Sequence, residues 1–520
     1  MAGANAEEAQ AEIAAMLEDP ATHGGQPVTR IATHGALVFL AGDRAWKMKR
    51  AVRYPYLDFS TLENRRLACA AEIALNRRTA PEIYEAVVPV TRDDAGRPRI
   101  GGEGPAIEWL VAMRRFDEGQ VLDRLADAGR VDLAMVEALA DHVAAFHAGA
   151  ERRPDGGGQA AMARVIDTND RALADCAAVL DRGETRALAA DSHALLDVLA
   201  PFLERRRREG FVRLGHGDLH LGNICLIDGK PRLFDALEFD LALTRLDTIY
   251  DVAFLVMDLL VRGLPAQANR FLERYAERTG DLAGLALLPL GLSMRAAIRA
   301  HVAVAAGGKD GRATARRYLD HSRAFLLPMP PRLVAVGGLS GSGKSTVARA
   351  VAPWLGAAPG ALVLRSDVTR KRLAGIDPME RAGPEAYAPG SAERVYGALR
   401  ADAATALAAG RTVIVDAVHA RPDERAAVEE VARRLGVPFA GIWLDAPAET
   451  LVARVAARVG DVSDATPAVV RHQLGYDLGP MAWQRVPAAP TWQAVAGAVA
   501  TALGIGGILD LDQGAGRQPS

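Results

Sequence analysis

Hydrophobic and polar positions fall into two different rhythms along the chain. In the first stretch the apolar runs are short and paired. Ala36 to Leu40 and Ala45 to Lys49 read as two strands, and Ala41-Gly42-Asp43-Arg44 between them predicts a β-hairpin. Side chains alternate along a strand, so Lys47 and Lys49 share one face while Trp46 and Met48 share the other. A short amphipathic helix over residues 7–17 precedes this hairpin and is broken by Asp19-Pro20 and Gly24-Gly25. A helix over Leu62 to Arg78, carrying Glu72, follows it. Further strands are predicted at Ala86 to Val90 and Ala106 to Met113. The pattern is then helical from Asp117 to about Arg208, interrupted at Pro154 to Gly158. Short strands and tight turns return over Phe211 to Ala236, and helix resumes from Leu246 to about Leu326.

Beyond Pro328-Met329-Pro330-Pro331 the rhythm changes. Strand-like runs at Leu333–Val336, Ala361–Leu364, Thr412–Val415 and Phe439–Leu444 alternate with helical segments, which predicts a parallel sheet covered on both faces. Consecutive prolines cannot continue a helix. The domain boundary is therefore placed at residues 328–332, between a first domain over 28–327 and a second over 333–505. Residues 1–27 form an N-terminal extension and 506–520 a polar tail expected to be disordered.

Composition adds limits rather than function. The chain has 520 residues, half of them hydrophobic, enough for two cores. Its formal net charge of −2 provides no global field for nucleic acid or an anionic membrane. Three scattered cysteines, Cys69, Cys176 and Cys225, share no disulfide or zinc spacing. The N-terminus lacks a signal-peptide pattern, and the apolar runs Val252 to Leu260 and Leu282 to Leu292 are too short to span a bilayer. A cytoplasmic location and no membrane partner are expected.

Two motifs carry chemistry. In the second stretch, Gly338-Leu339-Ser340-Gly341-Ser342-Gly343-Lys344-Ser345 lies between an apolar strand and the helix that starts with Thr346-Val347, and it fits G-x-x-x-x-G-K-[ST]. Glycines such as Gly338, Gly341 and Gly343 let backbone N–H groups turn inward around phosphate oxygens, and the helix dipole adds to them. Lys344 is placed to reach the β- and γ-phosphates of ATP, and Ser345 to ligate Mg²⁺. Asp367 and Asp416 each follow a predicted strand, at the edge where open parallel sheets bind ligands. Asp416 is the metal candidate, Asp367 the base toward an acceptor hydroxyl, and Arg370 a binder of phosphate charge. Arg454 and Arg458, one helical turn apart before Gly460 to Ala465, read as arginines of a lid closing over the phosphates.

In the first stretch, His216-Gly217-Asp218-Leu219-His220-Leu221-Gly222-Asn223 has the order and spacing of a kinase catalytic loop, H-x-D-x-x-x-x-N, with Phe234-Asp235 downstream. Asp218 fits the carboxylate that orients the attacking hydroxyl, while Asn223 and Asp235 supply hard oxygens for Mg²⁺. A lysine on a strand and a helical glutamate complete such a site. Lys47 and Glu72 fit that pair, with Lys49 an open alternative on the same face. His216 reads as structural, His220 as undecided. Asp247 and Asp251 either brace the helix that follows or sit near the acceptor.

Through Ala45-Trp46-Lys47-Met48-Lys49, His216-Gly217-Asp218 to Asn223 and Phe234-Asp235, residues 30–320 resemble the aminoglycoside phosphotransferase-like kinases. The resemblance implies a protein-kinase-like α+β fold. Asp235 is followed by Ala-Leu rather than Phe-Gly, and no G-x-G-x-x-G precedes the lysine, which favours a small-molecule kinase. Residues 332 to about 490 resemble the P-loop kinases related to gluconate kinase, polynucleotide 5′-kinase and the zeta toxins, which implies an α/β fold with a parallel sheet. The order of the halves is similar to bacterial proteins described as bifunctional aminoglycoside phosphotransferase/ATP-binding proteins. The resulting expectation is a multidomain α/β phosphotransferase with two ATP·Mg²⁺ sites and a small-molecule hydroxyl acceptor. Alternatives are a regulatory ATP-binding half, or a nucleic-acid 5′-kinase in the second half, which no basic stripe with interleaved aromatics supports.

Overall fold

The structure, a computed structural model, describes residues 2–54, 57–377, 380–388, 390–457, 462–489 and 491–507. The tail from residue 508 on therefore lies outside the described residues. By contacts the chain divides into two compact units. One comprises Met1–Val131, His142–Val165 and Leu196–Leu255, the other Asp132–Asp141, Ile166–Leu195 and Val256–Ser520.

The first unit is built on a six-stranded antiparallel sheet. Its order is Val28–Ala32, Ala36–Ala41, Arg44–Lys49, Glu108–Arg114, Tyr84–Arg92, Pro98–Ile100. The predicted hairpin forms with Ala41 opposite Arg44, and Gly42 turns it at φ 58°, a value glycine adopts without strain. Helix Leu62–Asn76 starts where the Thr61 hydroxyl accepts from the Asn64 N–H and packs Cys69 and Ile73 on one sheet face. The opposite face is covered by helix Ala2–Glu18, whose Ile13 and Leu17 are fully buried against Phe39, Trp46 and Met48. The segment expected to be an N-terminal extension thus covers one face of the sheet. The catalytic-loop segment lies on two small hairpin-like pairs, Val212–Leu214 with Arg245–Asp247 and Ile224–Ile227 with Lys230–Leu233.

The second unit contains the parallel sheet, in the order Leu362–Arg365, Val413–Asp416, Leu333–Gly337, Phe439–Asp445, Gln484–Pro487. Four strands match the predicted runs. The fifth, Gln484–Pro487, was not predicted, because as an edge strand it buries only Val486 and shows no apolar run. Its core joins Val334, Val336 and Ile414 to Val347 and Val351 of helix Lys344–Val351 and to Val495 and Val499 of helix Trp492–Ala502.

This unit also takes in helices that precede the prolines. Helix Pro265–Thr279 buries polar and charged side chains among its apolar ones, including Asn269, Arg270, Glu273 and Arg274. Asn269 donates to the Ala361 carbonyl at 2.9 Å, and Arg278 pairs with Asp377 at 3.2 Å. The compact division therefore does not follow the proline-rich segment. Among the described residues, Ala283–Ala306 is long and apolar enough to cross a membrane, longer than the run read from sequence, but 72% of its most apolar window is buried within the protein. It is a core helix, packed on helix Gly308–Leu326 through a buried Ser293–Ser322 contact.

Leu17→Ala removes a fully buried side chain that joins the N-terminal helix to the sheet. It should lower the stability of the first unit by about 2–5 kcal/mol, read as a shifted urea midpoint at unchanged slope. A change within error would mean that the helix is not needed for that core.

Candidate active sites

In the first unit, the hairpin strand and helix Leu62–Asn76 bring lysine and glutamate together. Lys47 Nζ lies 2.7 Å from Glu72 Oε1 and 2.6 Å from Asp235 Oδ1. Lys49 Nζ lies 2.5 Å from the other oxygen, Glu72 Oε2, and also pairs with Glu238. Strand alternation gave both lysines to one face, and the structure separates them. Lys47 borders a cavity of about 180 Å³ lined by Val38, Leu40, Ala45, Tyr84 and Phe234, while Lys49 is sealed in at 1% exposure. Burial alone would raise the Glu72 carboxyl, but the two ammonium groups outweigh it and hold the pKa at about 2. Burial works against both lysines, yet the surrounding carboxylates raise them above their ordinary range. Glu238 is shifted up, first by burial and against the pull of Lys49. Sequence reading missed Glu238. Its only signal was an acid three residues after Asp235 and a second lysine in want of a counter-charge.

The catalytic loop is fixed from beneath. Asp251 accepts from the His216 N–H at 2.6 Å and from the Gly217 N–H at 2.9 Å. This settles Asp251 as a brace. A Cβ on Gly215 would sit 2.3 Å from that carboxylate. Asp247 is likewise structural, paired with buried Arg206 at 2.7 Å. His216 is wholly buried, bonded through Nε2 to the Phe234 carbonyl at 3.1 Å, and lowered in pKa by burial. His220 accepts from the Gly222 N–H and lies 3.5 Å from Asp218 Oδ2. Asn223 donates its amide to Asp218 Oδ2 at 2.9 Å. Asp235 adopts φ 59°, strained for a non-glycine residue, and its N–H donates to Tyr84 Oη at 3.0 Å. Asp218 and Asn223 are thus joined by a hydrogen bond, and Lys47, Glu72 and Asp235 by ion pairs, with Asp218 and Asp235 half-exposed at the surface.

In the second unit the glycine loop follows the central strand. Gly338, Gly341 and Gly343 have φ of 145°, 87° and 93°, and a Cβ on Gly341 would lie 2.6 Å from the Leu451 carbonyl. Lys344 folds back on the loop, donating to the Gly338 and Leu339 carbonyls at 2.7 and 3.0 Å. Ser345 donates to Asp416 Oδ2 at 2.5 Å, and Arg365 Nε approaches the same oxygen at 3.5 Å. A cavity of about 430 Å³ takes in Lys344, Ser345, Thr346, Asp367, Arg370 and Asp416. Arg370 is anchored to the Ala386 carbonyl at 3.0 Å.

The lid residues are less assembled. Arg454 is exposed and does not line the cavity, because its helix turns Leu451 and Val455 inward. Arg458, Gly460 and Asp461 lie outside the described residues. Asp464 does line the cavity, 3.4 Å from Lys371 and accepting from the Ala382 N–H. Gln473, missed in the sequence, accepts from the Ser340 N–H of the glycine loop at 2.8 Å.

A family model described as the phosphotransferase enzyme family matches residues 59–288, and one described as an AAA domain matches 333–476. An uncharacterized protein of Mycobacterium tuberculosis strain H37Rv is 32% identical over 476 residues, covering 86% of this chain and 90% of that protein. One from Mycobacterium bovis matches to the same extent. The chain belongs to this family of phosphotransferase/P-loop fusion proteins. A choline/ethanolamine kinase family protein from Mesorhizobium loti aligns over 61% of this chain and 95% of its own, at 15% identity and TM-score 0.40. The Mycobacterium tuberculosis APS kinase, solved with AMPPNP and APS, aligns over 34% and 99%, at 23% identity and TM-score 0.26.

The fusion protein's family matches enclose Glu72, Asp218, Asn223 and Asp235 in one segment and the glycine loop, Asp367, Arg370 and Asp416 in the other. Lys47 lies upstream of the first match and is tied to it by geometry alone. Among the described residues no cluster of three His, Cys, Asp or Glu could hold a metal unaided. Each site instead offers two hard oxygen donors, Asn223 with Asp235 and Ser345 with Asp416. That suits Mg²⁺, which keeps waters and takes further oxygens from phosphates.

The Glu72 shift has a defined pH signature. Its folded pKa is depressed, so its contribution is complete above the ordinary value of about 4.5 and is lost as pH falls toward about 2. The stability gap between wild type and Glu72→Gln should be constant above about pH 5 and shrink below pH 4.5. Urea melts across that range would contradict the shared-lysine geometry if the gap held constant.

Proposed function

We propose that this protein is an ATP-dependent phosphotransferase with two nucleotide sites, one in each unit, that moves the γ-phosphate to a hydroxyl of a small molecule. The family memberships support phosphoryl transfer. The observation that supports the two-site reading is that each unit holds its own lysine beside a set of oxygen donors. In the first, Lys47 stands between Glu72 and Asp235. In the second, Lys344 sits at the cavity that also holds the Ser345–Asp416 pair.

In the first site Lys47 binds the α- and β-phosphates and Glu72 fixes that lysine. Asn223 and Asp235 would hold Mg²⁺, which when bound neutralises phosphate charge. Asp218, steadied by the Asn223 amide and open to solvent, orients the acceptor hydroxyl and takes its proton. In the second site the loop N–H groups and Lys344 receive the phosphates, Ser345 and Asp416 would hold the metal, and Asp367 faces the acceptor end with Arg370 beside it. Arg454 would join through movement of its helix, as a lid arginine over the phosphates.

Lys344→Ala in the full chain should weaken ATP binding at one of two sites by about 10- to 100-fold, since charge-assisted phosphate bonds are lost. Isothermal titration should then show one site per chain instead of two at micromolar ATP. An unchanged isotherm would remove the P-loop half from the reading. Asp218→Asn should cut acceptor-dependent ADP release by about 10²- to 10⁴-fold while leaving ATP affinity near wild type. A coupled assay over sugars, aminoglycosides and nucleosides measures it, and wild-type turnover would show that Asp218 is not the base.

A further inference from the structure

Within the second unit, a row of largely buried charges leads from helix Pro265–Thr279 to the glycine-loop site. Glu273, 1% exposed, lies 2.7 Å from Arg270 Nη1 and 3.6 Å from Arg349 Nε. Arg349 is four residues after Ser345 on helix Lys344–Val351, so the two share a helix face. Ser345 donates to Asp416 Oδ2, and Arg365 approaches that same oxygen. Arg365 and Asp416 are direct partners on adjacent parallel strands, each nearly closed to solvent. The outer end is closed by Glu137 on Arg270, at 2.6 Å, and by Glu277, 3.7 Å from Arg270.

We propose that Glu273, from the phosphotransferase segment of the chain, is a positioning residue of the P-loop site, balancing Arg349 so that Asp416 stays available to the metal-bound nucleotide. The proposal rests on the reading of that site as a nucleotide·Mg²⁺ site. Arg365 approaches Asp416 directly, and Arg349 lies near enough to Arg365 for their like charges to act on each other. Burial first, and then the neighbouring Arg270 and Arg365, press the Arg349 pKa downward, while Glu273 opposes them. Glu273, shared with Arg270, is the anion beside Arg349, and Asp416 is the anion beside Arg365. Without it, Arg349 adds its charge to that of Arg365 on the metal side, and Asp416 is drawn toward protein cations and away from an incoming one. Buried ion networks seldom stabilise a fold more than apolar packing would. A role for this one is therefore sought at the end where it meets the site.

The test uses the full chain and the component of ATP binding that Lys344→Ala abolishes. Affinity is measured by titration calorimetry with Mg²⁺ and with EDTA for wild type, Glu273→Gln and the double variant Glu273→Gln/Arg349→Gln. Glu273→Gln should lose about tenfold in affinity with Mg²⁺ and change little in EDTA, since one unbalanced charge acts on the metal side only. The double variant, which removes cation and anion together, should recover most of that loss. Equal affinities for wild type and Glu273→Gln with Mg²⁺ overturn the proposal. So does an equal loss in Mg²⁺ and EDTA with no recovery in the double variant, which marks Glu273 as a brace only. If wild type shows no Mg²⁺-dependent component at all, the nucleotide reading of the site fails, and the positioning role with it.

Discussion

A carboxylate removed from water survives as an anion only when cations come with it. That constraint orders both units. In the first, Glu72 has no exposure, and its two oxygens are divided between two lysines of one strand. The division fixes the helix to the sheet, and it aims Lys47 at Asp235 while Lys49 is retained inside with Glu238. In the second, Asp416 has 3% exposure and is met by a hydroxyl and a guanidinium on one oxygen. Phosphate-handling machinery needs opposite charges close together before substrate arrives. Here that requirement is met by burying them together.

The catalytic loop illustrates a second use of the same physics. Asp251 accepts from two backbone N–H groups, those of His216 and Gly217. Two charge-assisted bonds hold the turn that presents Asp218, and Gly215 is small enough to let the carboxylate approach. Asp218, the proposed base, can then stay half-exposed because a different carboxylate holds the turn.

Much of the fold and most of each site could be read in the chain, since motifs record local geometry. The glycine loop is legible because the backbone at Gly341 and Gly343 demands positive φ and, at Gly341, close approach to another segment. The catalytic loop is legible because Asp218 and Asn223 must meet within one turn. The choice between Lys47 and Lys49 was not legible, because a period of two assigns both to one face and only the depth of the site separates them. Glu238 and Gln473 were hidden for another reason: their partners, Lys49 and the Ser340 N–H, are distant in sequence. The affiliation of helix Pro265–Thr279 was hidden too. Its buried charges resemble an ordinary solvated helix until Arg349 and Ala361 are placed beside it.

That affiliation has a consequence for how the chain is made. The ribosome completes helix Pro265–Thr279 well before Arg349 and the strand beginning at Leu362. Until then Glu273 and Asn269 face water, and the surface they will close over is missing. The early-made segment must therefore wait, hydrated and incompletely packed, for the late one. Synthesis that stops near the proline joint leaves a nascent chain whose helix Pro265–Thr279 lacks Arg349 and the Ala361 carbonyl as partners.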